Sequence, residues 1–118
     1  MTNAGTLYHN PQCSKSRGAL DLLRERGIEP QIRSYLDQAP SIEELRDLLA
    51  TLGAGPRALL RTGEPEYIEL GLGDETLGDD ALIAAMHAHP RLIERPIFVC
   101  GGRAVVGRPA ERVLDLLG

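Results

Sequence analysis

The run IFVCGGRAVV leaves the chain few choices. Two short, mostly apolar stretches, Ile97–Cys100 and Arg103–Val106, flank Gly101 and Gly102. A diglycine supplies the positive φ angles that a two-residue hairpin turn needs. Such a turn also fixes the register: Cys100 faces Arg103, Val99 faces Ala104, Phe98 faces Val105 and Ile97 faces Val106. Continued outward, Pro96 faces Gly107 and Arg95 faces Arg108. Two like charges across a strand pair are destabilising without a counter-ion. This end of the hairpin therefore calls for an anion, either a carboxylate or a ligand. The plainer reading stays open at this point: each Arg is a surface residue with Glu94 or Glu111 beside it. Pro96 stands at a strand entrance, where proline is tolerated, and is a candidate for a cis peptide.

The N-terminal half has a different pattern. Residues 6–8 read as a strand that enters a turn at Asn10-Pro11. From Ser14, the apolar positions Ala19, Leu20 and Leu23 keep helical spacing, and Gly27 is a natural C-cap, giving a helix over residues 14–26. Alternation of Ile32, Ser34 and Leu36 predicts a second strand over 30–36. Ser41 and Glu44 form a capping box, with Leu45, Leu48, Leu49 and Leu52 on one helical face and Gly53 as the stop. Next come a short helix over 56–61, a Gly- and acid-rich loop with a brief helical turn over 64–76, and a helix capped by Asp79-Asp80 and running to Met86. After the hairpin, Pro109 starts a last helix with Ala110, Val113, Leu114 and Leu117 on one face. The order β-α-β, helices, β-β-α makes this an α/β domain. Its first two strands are parallel and its last two antiparallel.

Composition narrows the function. The 118 residues suit a single domain, 1–118, and the formal charge of −4 argues against nucleic-acid binding through a general basic surface. With no Trp, one Phe and three Tyr, the core must be largely Leu, Ile, Val and Ala. MTNAGTLYHN carries neither a charged leader region nor an apolar run, so the expectation is a cytoplasmic protein with no membrane segment. In that setting the two cysteines are expected to be reduced thiols.

Cys13 is the candidate nucleophile. A strand–turn–helix junction aims free backbone N–H groups, and the positive end of the helix dipole, at whatever precedes the first turn. A thiolate is stabilised there. Lys15, Arg17 and His9 can add to the field, and Ser14 and Ser16 can donate to the sulfur. The competing reading is a small buried apolar residue; the polar, turn-like surroundings favour the nucleophile. Ser16 stands where a redox dithiol motif has its second cysteine, and Arg17 comes too soon after Cys13 for a tyrosine-phosphatase loop. Cys100 falls at the turn end of the hairpin and reads as structural. His87 and His89 read as solvated residues at a helix end. No paired CxxC, HxH or HExxH supports a metal site.

HNPQCSKSR, RALLRTGEPEY, DDALIAAMHAHPRLIERPI and GRPAERVLDLL together resemble the glutaredoxin-coupled arsenate reductase family, from about residue 7 to 117. The resemblance implies a thioredoxin-like fold: a mixed four-stranded sheet flanked by helices, with a helical insertion between the second and third strands. It implies Cys13 as the nucleophile and Arg61, Arg95 and Arg108 as oxyanion ligands. His9, Ser16 and Arg17 then support the thiol, and Pro96 closes a cis peptide beside it. Arg57, at the start of RALLR, is not expected to be catalytic. The implied reaction is reduction of arsenate through a covalent Cys13 adduct, with glutathione as reducing co-substrate, glutaredoxin as partner and no bound cofactor. Family reductases tend to have Gly-Thr where this chain has Ser14-Lys15, and they are longer at the C-terminus. The CSKSR form resembles a compact subgroup. Two other classes share the fold: glutaredoxin-like, deglutathionylating thiol-disulfide oxidoreductases, and Spx-like binding proteins. The Spx-like proteins typically carry the CxxC that Ser16 removes here.

Overall fold

In the computed structural model, which describes residues 5–117, the hairpin forms in the register that the diglycine dictates. In chain order the elements are β1 (Thr6–Tyr8), α1 (Ser14–Glu25), β2 (Gln31–Arg33), α2 (Ile42–Leu52), α3 (Pro65–Glu69), α4 (Asp79–Ala88), β3 (Ile97–Cys100) and β4 (Arg103–Val106). Three 3-10 segments, Pro56–Ala58, Pro90–Leu92 and Ala110–Leu116, complete the described chain. It divides into two compact units: residues up to 38 together with those from 95 onward, and residues 39–94.

The first unit holds the sheet, in the order β2-β1-β3-β4. β1 runs parallel to β2 and antiparallel to β3, and β3 is antiparallel to β4. Leu7 pairs with Phe98, and Phe98 with Val105, so one row of apolar side chains crosses three strands. That row packs with Ala19, Leu20 and Leu23 of α1 and with Val113. In α1, Ser16, Ala19, Leu20 and Leu23 are the buried positions, at i, i+3, i+4 and i+7, as an amphipathic helix requires. The helix stops at Glu25, with Gly27 in the left-handed region at φ 76°.

Two expectations change here. The second strand is shorter than residues 30–36. Its neighbour in the sheet, β1, has three residues to pair with, and from Ser34 the chain turns, Asp37 N–H and Gln38 N–H both donating to the Ser34 carbonyl. The last segment is a 3-10 helix, Ala110–Leu116, rather than an α-helix. The face expected of that segment, Ala110, Val113, Leu114 and Leu117, does pack on the core, and Leu116 joins it.

In the second unit the Ser41 capping box is present in full, α2 buries Leu45, Leu48 and Leu49, and Gly53 ends it at φ 68°. α4 buries Leu82, Ile83 and Met86 and packs on α2. Its N-cap is Gly78 rather than an aspartate. Asp79 and Asp80 sit inside the first turn, where their charge suits the helix dipole but no cap bond forms. An isolated antiparallel bridge joins Leu60 to Ile93. It is flanked by Arg61 N–H donating to the Leu92 carbonyl and Glu94 N–H donating to the Leu59 carbonyl, both at 2.8 Å. Among the described residues, no helix is long and apolar enough to cross a membrane.

The open end of the hairpin is closely packed. A Cβ at Gly107 would lie 2.9 Å from Pro96 Cγ and 3.0 Å from Val113 Cγ1. Gly107→Ala is expected to cost about 1–3 kcal/mol of stability through overpacking, read as a lower urea midpoint.

Candidate functional site

The chain leaves β1 through a turn held almost entirely by polar bonds. His9 N–H donates to the Arg33 carbonyl at 3.0 Å, extending the β1–β2 ladder by one step. Asn10 then organises the turn: its side-chain oxygen accepts from Gln12 N–H, and its carbonyl accepts from Cys13 N–H, each at 3.0 Å. Pro11 fits such a turn because it has no N–H to satisfy. Cys13 is the N-cap of α1, with extended backbone angles, φ −96° and ψ 122°, and its side chain makes no cap bond. The thiol-bearing residue is 9% exposed. No acidic residue occupies the first turn of α1, so no carboxylate competes for the positive end of the helix.

Ser16 is fully buried, and its hydroxyl is shared. Oγ accepts from Asn10 N–H at 3.0 Å and lies 2.6 Å from His9 Nδ1. Burial, with the Arg24 and Arg17 charges behind it, pushes the His9 imidazole below its ordinary value of 6.5. His9 is thus a buried neutral ring near pH 7, and the positive charges acting on it are those of Arg24 and Arg17. Arg17 is exposed and donates from Nη1 to the Pro11 carbonyl at 2.8 Å, bracing the turn from outside. Ser14 and Lys15 are exposed.

The hairpin brings the second group of residues to the same end of the sheet. Tyr8 pairs with Ile97, and Ile97 with Val106. The chain leaving β1 toward Cys13, the chain entering β3 through Arg95-Pro96 and the chain leaving β4 through Gly107-Arg108 therefore share one edge. Beyond the last strand pair, Gly107 N–H still donates to the Pro96 carbonyl, but Arg108 N–H turns back to the Val106 carbonyl, and it is the Arg108 side chain, through Nε, that meets the Arg95 carbonyl at 2.8 Å. The Arg95–Pro96 peptide is cis, as the resemblance implies, and so is Arg108–Pro109. Nε and Nη1 of Arg95 are shielded from solvent.

Arg61 belongs to the second unit. Its Nη1 donates to Glu64 Oε1, and its Nε lies 3.7 Å from Glu94 Oε1. Glu64 also takes Arg91 Nη2 at 3.1 Å. The hydrogen bond from Arg61 outweighs burial and holds the Glu64 carboxyl below the usual carboxylate range. Sequence reasoning did not single out Glu64, Glu94 or Arg91 as partners of Arg61. The i, i+3 spacing of Arg61 and Glu64 was the available signal; the link to Arg91 and Glu94 needs the Leu60–Ile93 bridge. Arg57 donates to the Leu72 and Asp74 carbonyls, a structural role. Cys100 packs against the core cluster, and His87 Nδ1 lies 2.8 Å from the Pro40 carbonyl. Among the described residues, no three His, Cys, Asp or Glu side chains are grouped as a metal site would need.

A mixed four-stranded sheet in the order β2-β1-β3-β4 flanked by helices, with an N-cap cysteine after the first strand, is the arrangement of a thioredoxin-like fold. Residues 8–116 match the ArsC family, and the chain belongs to that family. It is 48% identical to an arsenate reductase of Neisseria meningitidis, across 94% of this chain and 96% of that one. It is 49% identical, across the full length of both, to an uncharacterised Escherichia coli protein, YfgD. The solved structure of an arsenate reductase from Vibrio cholerae superposes with a TM-score of 0.91 at 55% identity, covering 96% of this chain and 98% of that one.

The neutral state of His9 has a consequence for stability. Because the fold lowers its affinity for a proton, its contribution is complete above the unfolded value of about 6.5 and is lost as pH falls below it. The His9 Cε1 proton is expected to titrate with a midpoint below 6.5 in NMR spectra, and stability is expected to fall less steeply below that pH in His9→Asn than in wild type. Ser16→Ala, which strips Asn10 N–H of its acceptor, should cost about 1–3 kcal/mol.

Proposed function

We propose that the protein reduces arsenate to arsenite, with Cys13 as nucleophile and glutathione and glutaredoxin as the source of electrons. The observation that carries this reading is the strand register: it brings the Cys13 helix end, Arg95 and Arg108 to one end of the sheet. A helix N-terminus and two guanidiniums suit a multiply charged tetrahedral oxyanion. Relatives named arsenate reductases at 48% and 55% identity support that choice of anion. Arg61 joins Arg95 and Arg108 as a substrate ligand in this proposal on the family resemblance alone. The whole chain then works as one arsenate reductase-like domain.

In the proposed reaction the Cys13 thiolate attacks arsenic, and one arsenate oxygen leaves as water after protonation. Arg95 and Arg108 stabilise the charge on the remaining oxygens. Glutathione then attacks, and the two sulfurs together supply two electrons. Arsenic leaves as arsenite, and the sulfurs remain as a Cys13–glutathione disulfide, which glutaredoxin reduces. Ser16 and His9 hold the turn that carries the thiol, Arg17 braces it, and Pro96 shapes the facing chain. The dependence on glutathione makes the cytoplasm the proposed compartment.

The test is arsenate-dependent NADPH oxidation coupled through glutathione, glutaredoxin and glutathione reductase. Cys13→Ser should abolish turnover. Arg95→Ala and Arg108→Ala should each lower kcat/KM by about a hundredfold, the scale of losing one oxyanion donor. Absent turnover in wild type, with Cys13 still exchanging with a glutathione mixed disulfide, would replace this reading with a deglutathionylating oxidoreductase.

A further inference from the structure

We propose that Glu64 is a positioning residue for Arg61: its carboxylate, shared with Arg91, fixes the plane of the Arg61 guanidinium before any anion arrives. The inference rests on the reading of Arg61 as an oxyanion ligand, and the geometry behind it lies wholly within the second unit.

Arg61 is pinned at its backbone by the bond from its N–H to the Leu92 carbonyl beside the Leu60–Ile93 bridge. Its side chain then donates from Nη1 to Glu64 Oε1, while Nε lies 3.7 Å from Glu94 Oε1, an ion-pair contact beyond hydrogen-bond range. A guanidinium is a rigid plane of five donors. The Nη1 hydrogen bond to Glu64, with the Glu94 charge on the Nε side, therefore orients the guanidinium plane and with it Nη2. A flexible arginine would have to be ordered when the anion binds, at a cost in side-chain entropy; here the ordering is already done.

Three features single out Glu64 among the nearby acids. Its side chain is only 14% exposed, and that of Arg61 26%, so their contact is better shielded than a surface ion pair. Glu64 occupies the N-cap position of α3, yet its side chain makes no cap bond and turns to Arg61 instead. Its second oxygen is engaged by Arg91, whose own Nη1 lies 3.9 Å from Glu66 Oε2. Because Arg91 takes part of the Glu64 charge, Glu64 can orient Arg61 without cancelling its attraction for an anion.

A double-mutant cycle in the coupled arsenate assay tests this. Glu64→Gln should lower kcat/KM roughly tenfold, within the range of coupling between contacting residues. Adding Glu64→Gln to Arg61→Ala should then cause no further loss, because a positioning residue has nothing left to position. If the two losses multiply, or if Glu64→Gln equals wild type while Arg61→Ala is impaired, the inference is overturned and the arsenate reading stands. If Arg61→Ala is unimpaired, Arg61 is not an oxyanion ligand and the inference falls with that reading. A second readout is independent of turnover. The Arg61 Nε–H resonance should be sharp in wild type and broadened in Glu64→Gln. Broadening supports the positioning role even in the absence of turnover, and an unchanged resonance overturns it.

Discussion

The Ser16 hydroxyl holds the thiol end of the sheet together. It lies fully buried in the first turn of α1 and connects two residues of the chain leaving β1, the Asn10 N–H and the His9 ring. A buried hydroxyl, a buried imidazole and a turn amide each cost free energy if left without partners. Bonding to one another removes that cost and leaves the turn little freedom. Cys13 sits between them, so its place at the helix start results from satisfying groups on either side of it. The absence of any acid in the first turn keeps the helix end available to an anion.

The arginines are held in two different ways. Arg108 leans on a backbone carbonyl, that of Arg95. A carbonyl orients a guanidinium through its dipole without setting a full negative charge against it. Arg61 is set against carboxylates, Glu64 and Glu94, which orient it strongly and offset its charge. Holding by carboxylates favours direction, since the remainder is a fixed pair of N–H groups on a partly neutralised cation.

How much of the fold and the site was legible depended on how local each cause is. Gly101-Gly102 dictates the hairpin from within the turn, and all four residue pairs between β3 and β4 obey it. Ser41 and Glu44 bond each other across one helical turn, so the capping box can be read directly. Cys13, His9, Ser16 and Arg17 lie within nine consecutive residues, and the β-to-α change between them marks a site. The misreadings have non-local causes. The second strand ends where β1 stops pairing with it. The bridge between Leu60 and Ile93, and with it the setting of Arg61, joins residues far apart in the chain. Ser16 was expected as a donor to sulfur; its engagement with His9 and Asn10 emerges only once the turn is folded. Hairpin register marked Arg95 and Arg108, but only the family resemblance marked Arg61.

The same register explains why one thiol stands alone. The sequence contains two cysteines, and the hairpin places Cys100 at its turn end, opposite Arg103, while Cys13 lies beyond the other end of the sheet. From Pro96 to Cys100 is four residues of extended chain, about 13 Å at the usual strand rise. A disulfide requires Cα atoms within about 7 Å. Bringing Cys100 to Cys13 would mean unpairing β3 from both neighbours and exposing Phe98, which is fully buried between Leu7 and Val105. On the proposed reading, this placement of Cys100 leaves an oxidised Cys13 to be resolved by a thiol brought to it.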